Sequence, residues 1–542
     1  MGATTRLRRL ATALAVGTVA AACSTGGGAH SSSAGAQPGA GAHQSTTSVA
    51  PGSGGRLIAG GQPDPNGVLR FGIDMSANFT SGSFDPAQSI NSCDKIDQGL
   101  LYDTLTQLGP HGELEPGLAT SWTFDSSSLT VHLRPGVSFS DGSPADANAV
   151  RQSLLHVKTS PLRTSLAIIK AIAVVDPLTL RLDLTTATAP DLLYAWNDLD
   201  GMVIAPSALG SAASHPVGSG PYTLASASPS EVVLKKNPSY WNASAYQPAE
   251  IHFVQVGIGP PAIAALKAGS IDMASFQPES LPVVKADSTL GYSLRPSHEY
   301  MTIQFRLDTK PVDNQAVRQA INYAVDRKEI NSTVLGGTGT VTDETFAPDQ
   351  PVAFNASVAQ EYTYDPARAR ALLAEAGYPN GITFSMVVPA GVTLFEREAP
   401  LLQNEMARAG ITAKIVTVDP GQLETSFYTH KQNDALAAEY PAEEEYAREL
   451  YDKYGKTGFG AILTGSVRPE LEDLLVKGMG TLDDAALTPL MQQAAKITTD
   501  EALEVPIAFV SQMLAFGGRV GGHPSAGSDA CRADFTGLFI KR

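Results

Sequence analysis

Three regimes of apolar and polar residues follow one another along the chain. Residues 10–22 are mostly apolar, residues 24–66 carry almost no large apolar side chain, and from residue 67 apolar positions recur with the periods of strands and helices. In the third regime "GVLRFGIDM" (67–75) sets Leu69, Phe71 and Ile73 on one face and predicts a strand. "SLTVHLRPGVSF" does the same with Leu129, Val131 and Leu133, ends at the Pro135-Gly136 turn, and leaves His132 on the opposite face as a solvated or packed side chain. After the turn at Asp141-Gly142, Asp146 is placed to cap a helix with Val150, Leu154 and Leu155 as its apolar positions. In "YDPARARALLAEAGYPNGITFSMVV", Asp365 is a helix cap, Pro366 the first helical residue and Gly377 the stop, and Ile382, Phe384 and Met386 then begin a strand. The order repeats in "EREAPLLQNEMARAGITAKIVTV", with Leu401, Leu402 and Met406 inward and Gly410 as the stop before residues 411–418. Alternating helices and strands predict α/β layers with a largely parallel sheet.

The first two regimes predict export and tethering. The apolar run follows Arg6, Arg8 and Arg9 and is too short to span a bilayer. Ala20, Ala21 and Ala22 before Cys23 resemble the cleavage site of a bacterial lipoprotein, in which Cys23 becomes the lipidated amino terminus; Ala20 stands where Leu is usual. Residues 1–22 are therefore expected to be a signal, and residues 23–66, rich in Ser, Gly and Ala, a disordered tether. No later apolar run approaches eighteen residues, so the expectation is a soluble body held to the membrane through its lipid anchor alone.

At 542 residues the chain exceeds what one core supports, which predicts two or more lobes. A net charge of −16 without basic blocks argues against nucleic acid and against charge-driven binding to anionic lipid. Beyond Cys23 only Cys93 and Cys531 remain, and in an oxidising compartment they form either one disulfide or two buried thiols.

Motifs of catalysis do not assemble. The chain has no G-x-S-x-G, no H-E-x-x-H and no histidine pair at metal-ligand spacing. Gly455-Lys456-Thr457 imitates the end of a phosphate loop, but Leu450 stands where its first glycine belongs. Gly257-Ile258-Gly259 imitates a dinucleotide fingerprint, yet Pro260 and Pro261 remove two amide donors and favour a strand followed by a proline-started helix. Glu443, Glu444 and Glu445 read as a solvated helix face. Binding, with no metal site and no cofactor, is the better expectation.

Several separated segments resemble one family. "LYDTLTQLGPHGELEPGLATSW" with "LRPGVSFSDGSP", then "VGSGPYTL" with "VVLKKNPSYWN", "AALKAGSIDMA", "VRQAINYAVDRKEI" and "YDPARARALLAEAGYP" occur in the order and spacing of the extracellular solute-binding proteins of family 5, the receptors of peptide and nickel ABC importers. Most of these residues, among them Trp122, Tyr240 and Trp241, have a structural reading as turn and core residues, and Arg318 and Asp326 read as structural pairs. The resemblance implies a type II periplasmic-binding-protein fold of the α/β class, two lobes around a cleft with an extra domain inserted in lobe one. On this pattern residues 67–95, 204–300 and 507–542 form lobe I, 96–203 the inserted domain and 301–506 lobe II, and the chain crosses between lobes near Pro296 to Tyr300 and near Pro506. A Cys93 to Cys531 bridge would then lie within lobe I. The implied partners are a peptide or other small solute, a permease and separate ATPase subunits; a monomer is expected.

Cleft residues are expected as follows. Asn78, Phe79 and Phe84 follow the first strand, Phe79 and Phe84 serving as apolar contacts or as loop packing, and Tyr300 lies at the crossing. "NDALAAEYPAEEEY" (433–446) matches the segment with which peptide-binding members hold the peptide amino terminus; Asp434 or Glu439 is placed to take an amine or to act as a structural carboxylate, and Tyr440 stands where Asp is common. Arg306 replaces a common asparagine and either pairs with a solute carboxylate or forms an internal salt bridge. Peptide is the first reading of the solute and a nickel chelate the alternative. From other classes, the alternatives are a cell-envelope lipoprotein hydrolase and an envelope scaffold.

Overall fold

The structure is a computed structural model describing residues 54–57, 60–75, 82–89, 94–109, 113–161, 163–257, 259–423, 426–427, 430, 432–441, 445–456, 468–524 and 533–542. Its strands are set by alternating burial. β1 (Val68–Ile73) buries Leu69, Phe71 and Ile73. α1 (Ala147–Val157) starts where Asp146 accepts from the Ala149 amide at 2.9 Å, and α2 (Ala189–Ala195) follows an antiparallel sheet. The chain then forms β2 (Tyr222–Ser228), β3 (Glu231–Lys236), β4 (Glu250–Gln255), α3 (Pro260–Lys267), β5 (Met273–Phe276) and β6 (Gly291–Phe305). Helices α4 (Gln315–Tyr323), α5 (Arg327–Val334) and α6 (Pro366–Glu375) precede β7 (Ile382–Pro389), α7 (Thr393–Arg408), β8 (Ile411–Val418) and β9 (Ala435–Pro441). Helices α8 (Tyr446–Tyr454), α9 (Pro469–Gly478) and α10 (Asp484–Asp500) lead into β10 (Glu504–Phe516).

Among the described residues these strands belong to one 12-stranded sheet with the main order β8-β7-β9-β6-β10-β5-β1-β4-β3-β2. It is mixed, which corrects the largely parallel sheet expected. β7 lies parallel to β8 and β9, and β1 lies parallel to β4 and β5. The connections β6 and β10 are antiparallel to each other because one carries the chain out of a lobe and the other carries it back. A separate four-stranded sheet over residues 119–184 is antiparallel throughout.

β6 and β10 lie side by side between two large hydrophobic cores. Gly291 to Pro296 pair with Phe516 to Ser511, and Tyr300 to Gln304 pair with Phe509 to Glu504. Between these runs the register shifts, and the Ser297 hydroxyl donates to the Val510 carbonyl at 2.6 Å, filling one bond the bulge disrupts. One hydrophobic core, with Phe305, Leu402 and Phe509, lies on the 301–510 side. A second large core joins Phe71 and Phe253 to Leu129, Leu182 and Trp196, so the four-stranded sheet shares its core with β1 and β4.

Local expectations meet the structure with two corrections, at Leu155 and Arg318. Asp365 caps α6 through the Ala367 and Arg368 amides, and Gly377 and Gly410 take positive φ of 90° and 79°. Leu155 is 40 % exposed, since α1 turns it away from the core side that buries Val150 and Leu154. The "VRQAINYAVDRKEI" segment is two helices, because Asp326 accepts from the Lys328 and Glu329 amides and starts α5 anew. Among the described residues Arg318 makes no ion pair: its guanidinium donates to the carbonyls of Val312, Asp313, Glu501 and Ala502.

Candidate functional site

Strand direction locates the cleft. The carboxyl ends of β1, β4 and β5 point toward the register break from one side, since Phe276 of β5 pairs with Met513 and Pro296 of β6 with Ser511. On the other side Tyr440, near the end of β9, pairs with Tyr300. In open α/β sheets the crevice outside the carboxyl ends of parallel strands takes the ligand. Here two such sets face one crevice between the lobes.

Tyr440 and Tyr300 head a buried polar network on the 301–510 side. The Tyr440 hydroxyl donates to Gln304 Oε1 at 2.6 Å. The Tyr300 hydroxyl donates to Glu504 Oε1 at 2.8 Å, and Thr302 and Thr345 add bonds of 3.1 and 3.2 Å to the same carboxylate. Lys453 of α8 inserts Nζ between the Tyr300 and Tyr440 rings, 4.6 Å from each centroid. Its ammonium also bonds the Tyr300 hydroxyl, lies 3.0 Å from Glu449 Oε1 and is 3.8 Å from Glu504 Oε1. Burial and the Glu504 charge push the Tyr300 phenol well above its usual range. Tyr300 has no exposure and is enclosed by this network.

The same strand separates the two acidic candidates. Glu439 pairs with Met301 at the cleft end of β9, is half-buried, and is pushed up to about 7 by desolvation. Asp434 precedes β9 at the other end, roughly 17 Å away at the rise of a strand, where it accepts from the Ser385 amide and hydroxyl at 2.8 Å each. Arg306 sits beside it: its amide donates to the Asp434 carbonyl at 2.9 Å, and its guanidinium bonds Asp308 at 2.9 Å. Of the two roles open to Arg306, the structure shows the internal salt bridge. Both residues thus lie at the opposite end of β9 from Glu439.

Phe84 is half-buried against the core, and its carbonyl accepts from the Tyr102 hydroxyl at 3.0 Å, the loop-packing role. Asn78, Phe79, Cys23, Cys93 and Cys531 lie outside the described residues.

The elements of the two large cores also touch through α8 and α2. Arg448 of α8 reaches Asp191 of α2 at 3.2 Å and the Thr164 hydroxyl at 2.9 Å while also holding Asp452 at 2.9 Å. Burial raises Asp191 to about 6 despite the guanidinium beside it. Leu482, in the α9–α10 turn, packs on the opposite core.

A profile of the bacterial extracellular solute-binding proteins, family 5 Middle, matches residues 113–458. The chain belongs to this family. It is 26% identical over 463 residues to the glutathione-binding protein GsiB of Escherichia coli strain K12, covering 80% of this chain and 88% of that protein. Its fold matches DppA from Helicobacter pylori in complex with peptide STSA at a TM-score of 0.72 and 22% identity, over 88% of this chain and 98% of the other. It matches NikA from Brucella suis in complex with Fe(III)-EDTA at 0.76 and 22% identity, over 88% and 100%. As a family 5 member the chain is the extracytoplasmic substrate-binding component of an ABC importer, a receptor rather than an enzyme.

Lys453, Arg448, Asp191 and Glu398 were not singled out by sequence reasoning. The i,i+4 pairs Arg448–Asp452 and Glu449–Lys453 mark α8 as a charged helix, but nothing local reveals that Arg448 also meets an aspartate 257 residues away.

Proposed function

We propose that this family 5 receptor captures peptides in the crevice between its lobes and presents them to a membrane permease, tethered through a lipid on Cys23. The observation that carries the peptide reading is Glu439. It is a half-buried carboxyl at the cleft end of β9, in the segment that corresponds to the amine-holding stretch of peptide receptors, and desolvation pushes it up to about 7. A peptide ammonium supplies the countercharge such a group lacks, and the peptide backbone supplies groups that any extended cleft can pair. The similarity to a glutathione-binding protein and to a structure holding the peptide STSA supports the same class. Residues 67–95, 204–300 and 507–542 as lobe I, with 96–203 inserted and 301–506 as lobe II, fit this clamp, and hinge motion at β6 and β10 would close it.

Native mass spectrometry of the receptor purified without denaturation, followed by release of bound molecules, tests the reading. A ladder of peptide masses is expected. A single metal-chelate or other non-peptide mass overturns the peptide assignment. For the anchor, replacing Cys23 by Ser should release the protein from membranes into the medium or periplasm; unchanged membrane retention overturns it.

A further inference from the structure

Helix α7 begins just after β7, at the cleft end of that strand, and its second turn carries Glu398 among Phe395, Ala399 and Leu402. Glu398 has no exposure, and neither carboxyl oxygen has a hydrogen-bond partner among the described residues. An ionised carboxylate in such a place is strongly disfavoured, whereas a protonated one costs much less. Burial is the main cause that pushes this carboxyl well above its usual range, followed by the charges of Glu439 and Glu405. Glu439 shares its strand face with Ala435 and Ala437, whose side chains join Phe395, Ala399 and Leu402 in one core. Glu439 is half-buried where Glu398 is fully enclosed, so of the two carboxyls Glu439 is the one that meets solvent.

The charged neighbours reinforce this arrangement. Glu405, on the same helix, accepts from the Asp326 amide at 2.8 Å. On α5, Arg327 is committed to the carbonyls of Asn322, Tyr362 and Pro506, and Glu329 lies 3.9 Å from Arg408. β7, the strand next to β9, brings no charged residue, and Lys414 on β8 is exposed. None of these cations is among the causes acting on Glu398 or Glu439.

We infer that Glu398 and Glu439 form a proton-holding carboxyl pair behind the cleft, and that a cationic group of the solute, docking on Glu439, displaces one proton from the pair. One carboxyl O–H bond breaks, the proton leaves to water, and no covalent bond to the solute forms. The identity of the cation as a peptide ammonium rests on the reading above; the held proton does not. Solute capture by this receptor would then be linked to proton release, with tighter binding as pH rises until the empty pair has lost the proton itself.

Titration calorimetry of the full receptor with trialanine and N-acetyl-trialanine, in buffers of different ionisation heat, tests the linkage. Trialanine is expected to release about one proton, with affinity rising about tenfold per pH unit between about pH 5 and 7. In Glu439→Gln it should bind more weakly, with little release and a nearly flat pH profile, and the acetylated peptide should release none. Trialanine binding without proton release, or equal release in Glu439→Gln, overturns the inference. If trialanine does not bind, the peptide reading is what suffers, and infrared spectra of the empty receptor at about pH 8 decide the pair. A protonated carboxyl band lost in Glu398→Gln supports it, and identical spectra overturn it.

Discussion

The indole N–H of Trp241 donates to Asp103 Oδ2 at 3.2 Å, joining two segments 138 residues apart. The Ser219 hydroxyl donates to the same carboxylate at 2.9 Å and the Tyr240 hydroxyl at 3.1 Å, while Arg134 stacks over the Trp241 ring at 4.0 Å. These residues come from four of the segments that resemble the family, so much of the sequence signature is one buried hydrogen-bonded knot around Asp103. Desolvation raises the carboxyl to about 6, and the three donors hold it down.

Removing donors from this knot should destabilise the fold without touching solute binding. Trp241→Phe keeps the ring over Arg134 and loses one bond, for a cost of about 1 kcal/mol. Asp103→Ala leaves three donors unpaired and should cost about 3 kcal/mol. Urea unfolding measures both, and a larger loss in the Trp241 variant than in the Asp103 variant would contradict the arrangement.

Arg448 should act as the contact that holds the lobes together. With its guanidinium removed, Asp191 keeps its desolvation and loses its cation in the closed form. Arg448→Ala is expected to weaken solute binding about tenfold, equivalent to about 1.4 kcal/mol, while unfolding by urea changes little. Small-angle scattering at matched solute concentration should show a larger radius of gyration than the parent protein; equal curves would remove the latch role.

How far the sequence shows this molecule depends on the range over which each feature is determined. Helix caps such as Asp146 and Asp365 and the apolar strand face of Leu69, Phe71 and Ile73 are local choices, and they stand in the structure as the residues predict. The two-lobed fold was legible through blocks that share one buried knot. The cleft was legible only in part. Asp434 and Glu439 are five residues apart and chemically alike, and only the pairing of β9 with β6 shows which end of the strand meets the crevice. Glu398 reads from sequence as an ordinary helical glutamate, because its burial is set by β9, a neighbour its own segment does not specify.

Buried carboxyls should make the receptor less stable as pH rises. Desolvation raises Glu344 to about 9 and Glu405 to about 8, above their unfolded values, so the folded state binds the proton more tightly. Their ionisation therefore lowers stability progressively from about pH 4.5 to about 8 or 9. Glu344→Gln and Glu405→Gln, which cannot ionise, should each raise the urea midpoint at about pH 8 and leave it nearly unchanged at about pH 4.5. Equal effects at both pH values would show that shape, not charge, is what changed.

Lys453 tests whether the cleft floor depends on a single buried cation. Its ammonium lies against the Tyr300 and Tyr440 rings and between Glu449 and Glu504, each at most 7 % exposed at the side chain. Lys453→Met preserves the apolar stem but leaves two buried carboxylates without their ion-pair partner, which should cost about 3 to 5 kcal/mol. Because Tyr440 stands beside Glu439 on β9, the same change should also loosen the cleft and weaken solute binding. The double variant Lys453→Met with Glu449→Gln removes one stranded charge and should recover part of the stability, by the sign expected of a coupled pair. Calorimetric unfolding and binding on the parent, single and double variants give that coupling directly, and additive losses would show that the lysine and Glu449 act independently.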